Sequence, residues 1–545
     1  MHDSSWWQWG IIYEVCPRSF QDSNGDGIGD LNGILERIDY LVDLGISAIW
    51  IAPIYPSPMA DFGYDVADYC GIDPIFGTMN DFDRLLASLH LRGLKVILDF
   101  VPNHTSDQHP WFLESRSSRD NPKRNWYLWR DEPNNWLSNF GGSGWEKDDA
   151  TGQFYYHSFL KQQPDLNWRN PEVEAAMFDV LRFWLRRGVD GFRVDVMWMM
   201  IKDDQFRDNP PNPAYQSDQP SSNRLLPVYN TNRPEVHDVV ARMRAVVDEF
   251  PERVLIGEIY LPVPQLMTYY GADLKGVNLP FNFLLLQCAW TPDAVRHVIT
   301  TYYNALPNGA WPNWVLGNHD NARIATRVGA AQARVAAMLL LTLPGTLTLY
   351  YGEEIGMSNV PIPPHLVQDP AEKNEPGLGQ GRDPERTPMP WNDSPGAGFT
   401  TGRPWLPLGQ QRSVAKQQSD STSMLHLYRR LIELRRSHSV LVIGRARNVA
   451  TDNHVLRYEH SGAERGILVL LNFSSDPVTM PAARGTILLS TCLEREGETV
   501  SATVELNGAE GLVIELLPYR QPTPQNRVAA SSREVVRPFP CARTR

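Results

Sequence analysis

Short apolar, β-branched runs recur along the chain, separated by helix-like segments: GIIYEV, ISAIWIAPI, LKVILDFV, GFRVDV, VLIGEI, NWVLGN and LTLYYG. Each is apolar throughout rather than alternating, which is how strands read when both faces of a parallel sheet are buried. With a weaker candidate at GVNLPFN, about eight βα units are present, and a closed (β/α)8 barrel accommodates them more economically than an open sheet.

Two stretches interrupt the alternation. From His104 to Asn170, directly after LKVILDFV, the chain is aromatic and glycine-rich without helical period, which predicts a small inserted domain over 104–170. A second interruption, rich in Pro and Gly, spans about 352–418 after the last barrel strand. Insertions at the C-terminal ends of barrel strands wall an active site. The amphipathic run MLHLYRRLIELRRSHSVL completes a barrel assigned to 1–103 and 171–441. VLRYEH, GILVLLNFS, GTILLS and ATVEL then predict a C-terminal antiparallel β-sandwich domain over 442–520, and a Pro-, Ser- and Arg-rich segment over 521–545 predicts a disordered tail.

Composition narrows the function. The 545 residues suffice for several domains, and 42% hydrophobic with 21% charged residues is globular. No apolar run in the sequence approaches the roughly 18–20 residues that cross a bilayer, so no membrane partner is expected. The net charge of -12, with Lys and Arg scattered, argues against nucleic acid. Cys16, Cys70, Cys288, Cys492 and Cys541 form no C-x-x-C pair and are expected as reduced thiols. MHDSSWWQWG lacks the features of a signal peptide, so a cytoplasmic protein is expected. Trp 17, Tyr 20 and Phe 19 are many, and in loops such as RNWYLWRDEPNNWLSNFGGSGW flat rings beside polar groups suit sugar faces.

Barrel enzymes keep their reactive groups at strand C-termini. Asp195 ends GFRVDV, Glu258 ends VLIGEI and Asp320 ends WVLGNHD, each an apolar strand with no packing reason to finish on an acid. Asp65, His104, Arg193 and His319 occupy similar places, and Arg193 and Asp195, two apart on a strand, face the same side.

GFRVDV, IGEIY, GNHD and DFVPNHTSD resemble, in order and spacing, the signature regions of the α-amylase family, glycoside hydrolase family 13. QPDLNW and GRDPERTPMPW are similar to its α-glucosidase and oligo-1,6-glucosidase branch. The resemblance covers roughly Trp7 to Arg520. It implies that Asp195 is the nucleophile, Glu258 the general acid/base and Asp320 the carboxylate that stabilises the transition state. It implies hydroxyl binding by Asp65, His104, His319 and Arg382, with Arg193 in the same set, and stacking by Tyr64 and Phe159. A retaining reaction needs one ionised and one protonated carboxyl about 5–5.5 Å apart. Arg193 is expected to hold Asp195 ionised, whereas Glu258, following an apolar strand with no adjacent cation, is expected to keep a raised pKa.

DSNGDGIGD places Asp22, Asn24, Asp26 and Asp30 at positions one, three, five and nine of an EF-hand-like loop, with the Ile28 carbonyl at seven. Position twelve is Gly33 rather than the bidentate glutamate, and the loop resembles the β1 metal loop of oligo-1,6-glucosidases. One structural Ca2+ or Mg2+ is expected, and no organic cofactor. The implied activity is a retaining α-glucosidase acting on short α-glucosides, with transfer to a sugar or alcohol acceptor sharing the intermediate. In this branch Val after the nucleophile often accompanies α-1,6 preference and Thr α-1,4. Here Val196 is followed by MWMM, which departs from the oligo-1,6 pattern, and the expectation is α-1,4, as in maltose. Oligo-1,6-glucosidase, trehalose hydrolase, a sucrose-acting relative and an inactive scaffold are the alternatives.

Overall fold

The computed structural model describes residues 5–410, 412–462 and 465–517. The expected tail over 521–545, with Cys541, lies outside the described residues.

The first three strands, β1 (Ile11–Val15), β2 (Ala48–Ile51) and β3 (Lys95–Phe100), are parallel neighbours. An antiparallel sheet of three short strands follows, β4 (Trp129–Arg130), β5 (Trp145–Lys147) and β6 (Phe154–Tyr156), with β6 in the middle, inside the expected insertion. The parallel sheet resumes with β7 (Gly191–Val194), β8 (Val254–Gly257), β9 (Leu279–Pro280), β10 (Asn313–Val315) and β11 (Thr346–Tyr350). Its order is β10-β11-β1-β2-β3-β7-β8-β9, an almost closed eight-stranded barrel. The weak candidate GVNLPFN is β9, two residues long and ending on Pro280, which has no N–H for a ladder. The seam between β9 and β10 is bridged by one side chain: Asn313 Oδ1 accepts from the Asn282 N–H at 2.9 Å, and its Nδ2 donates to the Pro280 carbonyl.

Strand parity sorts the barrel's two faces. Ile12, Ala48, Trp50, Ile97, Val254, Ile256 and Val315 fill the interior, while Ile11, Tyr13, Val15, Ile49 and Ile51 pack against the surrounding helices. Those helices carry their own end signals. Pro171–Arg187 starts with Asn170 accepting from the Glu172 N–H and Pro171 at its first position, and stops at Gly188, whose φ of 112° favours glycine.

The C-terminal domain is an antiparallel sheet of β12 (Arg447–Asp452), β13 (Val455–His460), β14 (Ile467–Asn472), β15 (Val478–Ser490), β16 (Thr499–Leu506) and β17 (Gly511–Leu516), in the order β12-β13-β14-β17-β15-β16. Its alternation is two-sided: Val455, Leu468, Leu470, Leu512 and Ile514 build a core of its own, while Leu456, Tyr458, Val469, Leu471 and Val513 join the main core. Helix Ile324–Thr342 packs on this second face. Among the described residues it alone is long and apolar enough by composition to cross a membrane. The apolarity has a packing reason, since Ala336 to Thr342 are all buried between barrel and sheet.

A third long connection, between β7 and helix Val236–Val247, escaped the sequence reading. It is laced to the inserted segment by Trp136 Nε1 donating to the Arg207 carbonyl at 2.9 Å and Asn230 Nδ2 donating to Tyr156 Oη at 3.1 Å. On its other side the Ser221 N–H lies 3.3 Å from both oxygens of Glu375, in the connection after β11. Three connections therefore form the rim.

Candidate active site

The inward rows of the barrel change character along each strand. Below they are apolar; two residues further up, the same face carries Glu14 after Ile12, Asp99 after Ile97, Arg193 and then Asp195, and Glu258 after Ile256. Glu14, Asp99 and Arg193 are fully buried, and Asp195 and Glu258 nearly so.

One guanidinium organises this cluster. Arg193 Nη1 donates to Asp99 Oδ1 and to Asp195 Oδ1, both at 2.8 Å, and Nη2 lies 2.8 Å from Glu258 Oε2. This overturns the expectation that Glu258 has no adjacent cation, because β7 and β8 are neighbours and bring Glu258 onto the other prong of the same fork. Arg193 is also not a wall of the cavity: it lies beneath, pairing with carboxylates and packing over the Trp50 ring at 5.0 Å. Glu258 Oε2 accepts from the Val196 N–H at 2.8 Å. To aim that N–H, Val196 adopts φ 34°, ψ 44°, a left-handed conformation that is strained for a β-branched residue.

Burial pushes the Asp195 carboxyl well above the usual carboxylate range, and repulsion from Glu258 adds to this against the attraction of Arg193. Burial likewise raises Glu258, opposed by Arg193 and assisted by Asp320. Burial and Glu258 thus act against the expected hold of Arg193 on Asp195, because two close carboxyls share one cation. Asp320 goes the other way. Burial would raise it too, but His319, Arg382 and Arg386 hold it well below the carboxylate range. The arginines are the durable cause, since burial keeps His319 neutral. Arg386 Nη2 donates to Asp320 Oδ1 at 2.8 Å and Arg382 Nη1 at 3.3 Å.

Below Asp320 a hydrogen-bonded line crosses the barrel. His319 Nδ1 meets Glu14 Oε1, His319 Nε2 lies 2.8 Å from Tyr64 Oη, and Tyr64 Oη lies 3.1 Å from Asp99 Oδ2. Tyr64 and His319 also stack, with centroids 5.4 Å apart at 16°.

These groups floor a cavity of about 330 Å³. Asp195, Glu258, Asp320, Tyr64, His104, Phe159, His319 and Arg382 line it. Asp65 does not. Its carboxylate is buried and engaged by Ser57 Oγ and by the N–H groups of Ala60 and Asp61, all within 3.0 Å. Asp61 reaches the cavity instead, 2.6 Å from Arg382 Nη2. Gln163, Trp198, Met199, Tyr260 and Asn321 also line the wall without having been singled out. Asp61 and Asp65 share one loop, and only its turn decides which acid faces inward. A larger hollow of about 710 Å³ shares Phe159 but none of the three carboxylates.

The Asp22–Asp30 loop closes largely on its own amides. Asp22 accepts from the N–H groups of Asn24, Gly25 and Gly27, Asn24 from Asp26, and Asp26 from Ile28. Asp30 accepts from Ser23 and caps the helix Leu31–Glu36 through the Gly33 N–H. Among the described residues no group of three or more His, Cys, Asp or Glu is placed to hold a metal. The side-chain oxygens of the expected cation site are thus already engaged by backbone amides.

Comparison with known proteins agrees with this architecture. Residues 14–444 match the alpha amylase catalytic domain. A probable alpha-glucosidase of Rhizobium meliloti is 42% identical over 88% of this chain and 91% of its own. An oligo-1,6-glucosidase of Parageobacillus thermoglucosidasius is 37% identical over 86% of this chain and 90% of its own. The crystal structure of the alpha-glucosyl transfer enzyme XgtA superposes with a TM-score of 0.89 at 38% identity, covering 94% of this chain and all of that one. With a barrel that carries its acids on the strand tops and a family match over most of its length, the chain belongs to the α-amylase family.

Proposed function

We propose that the protein is a retaining α-glucosidase that removes the terminal glucosyl unit of short α-glucosides and passes it to water or to another acceptor. The observation that carries this is the bridging of Asp195 and Glu258 by the single Arg193 fork, at the floor of a cavity that also holds the charged Asp320. Two carboxyls on one fork suit the close pair of a retaining enzyme, about 5–5.5 Å apart, better than the wider inverting pair.

In the steps that follow, Asp195, which accepts a charge-assisted hydrogen bond from Arg193, acts as the ionised partner and Glu258 as the protonated one. Glu258 protonates the glycosidic oxygen as Asp195 attacks the anomeric carbon and the glycosidic bond breaks. Glu258, now ionised, takes a proton from water, whose oxygen displaces Asp195 with net retention. Asp320, ionised throughout, faces the positive charge that develops at the anomeric centre. No organic cofactor enters these steps.

The relatives named above include α-glucosidase, oligo-1,6-glucosidase and glucosyl transfer activities. We favour α-1,4 substrates such as maltose, with Trp198, Met199 and Met200 after Val196 as the support. Engaged carboxylates at all three positions, Asp195 and Glu258 buried and Asp320 half-buried, oppose the scaffold reading. Time-resolved NMR with maltose and isomaltose in parallel tests this: α-glucose released first, mainly from maltose, is expected, and β-glucose first would overturn the retaining mechanism.

For the Asp22–Asp30 loop we propose that Ca2+ or Mg2+ adds stability to a turn already closed by amides; the spacing of its oxygens supports this. Free thiols at Cys16, Cys70, Cys288 and Cys492 support a cytoplasmic location.

A further inference from the structure

Glu14 takes no part in the steps above, yet it is fully buried on β1 and in contact with His319. Protons along the line from Glu14 to Asp99 can be counted one by one. Asp99 Oδ1 accepts from Arg193 Nη1 at 2.8 Å and Oδ2 from Trp50 Nε1 at 2.9 Å, both groups that only donate. Burial raises the Asp99 carboxyl, but Arg193, Trp50 and Tyr64 all favour it as a carboxylate. The single hydroxyl proton of Tyr64, 3.1 Å from Oδ2, is therefore spent on Asp99. Tyr64 Oη must then accept from His319 Nε2 at 2.8 Å, so Nε2 carries a proton. Across the ring Nδ1 meets Glu14 Oε1, and that contact needs one proton shared between the two atoms.

Charge decides where that proton rests. On the imidazole it would set a buried imidazolium against a buried carboxylate, with Arg386, Arg193 and Arg382 opposing the imidazolium. On Glu14 it leaves both groups neutral. Burial pushes the Glu14 carboxyl well above the usual range, and Asp99 and Asp320 add to this against Arg193 and the His319 backbone. Burial likewise holds His319 well below its ordinary value, against the attraction of Asp320. Tyr350 on β11 and Cys16 beyond β1 also act on Glu14, and burial keeps both neutral. Glu14 Oε2 is buried without a hydrogen-bond partner, which costs less for the carbonyl oxygen of a neutral acid than for a carboxylate.

We propose that Glu14 is a protonated positioning residue, which donates to Nδ1 and thereby fixes His319 as an Nε2–H donor at the floor of the cavity. The functional part of this rests on the reading of the cavity as a glucosyl site. His319 Nε2 lies 3.4 Å from Asp320 Oδ2, so a sugar hydroxyl that reaches both donates to the carboxylate and accepts from the ring, sharing the proton that otherwise rests on Tyr64. With the opposite tautomer the same hydroxyl would face two acceptors and lose one bond.

Nitrogen NMR of the full-length enzyme labelled at histidine reads the tautomer without substrate, the His319 signals being those lost in His319→Gln. Near neutral pH a ring with Nε2 protonated and Nδ1 bare is expected. A proton on Nδ1, alone or together with one on Nε2, would overturn the proposal. Kinetics with maltose read the consequence. Glu14→Gln, whose amide donates in place of the acid, is expected to keep kcat/KM within about threefold, and Glu14→Leu to lose about tenfold, chiefly through KM. A Glu14→Gln enzyme as impaired as Glu14→Leu, or a folded Glu14→Leu enzyme with an unaltered KM, would also overturn it. If Glu14→Leu does not fold, the tautomer and the Glu14→Gln rescue decide. No turnover of any α-glucoside by the unaltered enzyme would sink the glucosidase reading while leaving the tautomer result to stand by itself.

Discussion

Arg193 Nη2 stands 2.8 Å from Glu258 Oε2, as close as Nη1 stands to Asp195 Oδ1. The cation therefore lowers both carboxyls, and removing its charge should raise both. In Arg193→Gln the acid and alkaline limbs of the kcat/KM profile are expected to move together toward higher pH. Activity should fall by about 10²-fold or more, and stability by roughly 3–5 kcal/mol because three buried carboxylates lose their partner. Limbs that stay in place would show that Arg193 acts on geometry alone.

Asp320 raises both carboxyls by repulsion, so its neutralisation should have the opposite sign. Asp320→Asn is expected to shift both limbs toward lower pH and to reduce kcat by about 10²-fold or more. Unlike Arg193→Gln it should fold well, since Asp320 is partly exposed. Thermal melts alongside the pH–rate profile check both statements.

Glu258→Gln should hurt poor leaving groups most. With maltose a loss of about 10²–10⁴-fold is expected, and with p-nitrophenyl α-glucoside a much smaller one in the first step, because nitrophenolate departs unassisted. Asp195→Asn should abolish turnover of both. Equal losses across leaving groups in Glu258→Gln would refute its role as acid.

Stability should fall with rising pH. Burial pushes Glu353 up to about 8 from an ordinary 4.5, against the pull of Arg323, and both its carboxyl oxygens are buried without a hydrogen-bond partner. The folded state thus binds a proton that the unfolded chain releases. This contribution is fully present below the ordinary value and is lost as pH rises through about 8. Glu353→Gln should flatten the dependence, by on the order of 2–4 kcal/mol between pH 5 and 8. Parallel urea titrations of the two proteins at both pH values test this.

Chelation should leave a folded, active enzyme. Because amides already close the Asp22–Asp30 loop, stripping Ca2+ or Mg2+ is expected to lower Tm by only a few degrees, and restoring either ion to recover it. A folded chelated enzyme without activity would assign the metal a catalytic part.

Much of this molecule is written locally. Fully apolar strands announce a barrel, and an acid at the end of such a strand is conspicuous wherever it occurs, so Asp195, Glu258 and Asp320 could be found from the chain alone. β9 was faint because two residues ending on proline carry almost no periodic signal. The connection between β7 and Val236–Val247 was missed because polar, proline-rich sequence looks the same whether it trails in solvent or walls a cavity.

The chain by itself determined which residues bear charge and which strand tops they occupy, since residue type and period-two alternation are properties of the sequence. Only the tertiary structure decided the pairings. It set β7 beside β8, so that Arg193 serves Glu258 as well as Asp195, and it turned the loop after β2 so that Asp61 rather than Asp65 meets Arg382. The physical reason is range: hydrophobic alternation acts between neighbours in the chain, whereas a buried charge is settled by whatever cation the closed barrel brings within hydrogen-bond reach.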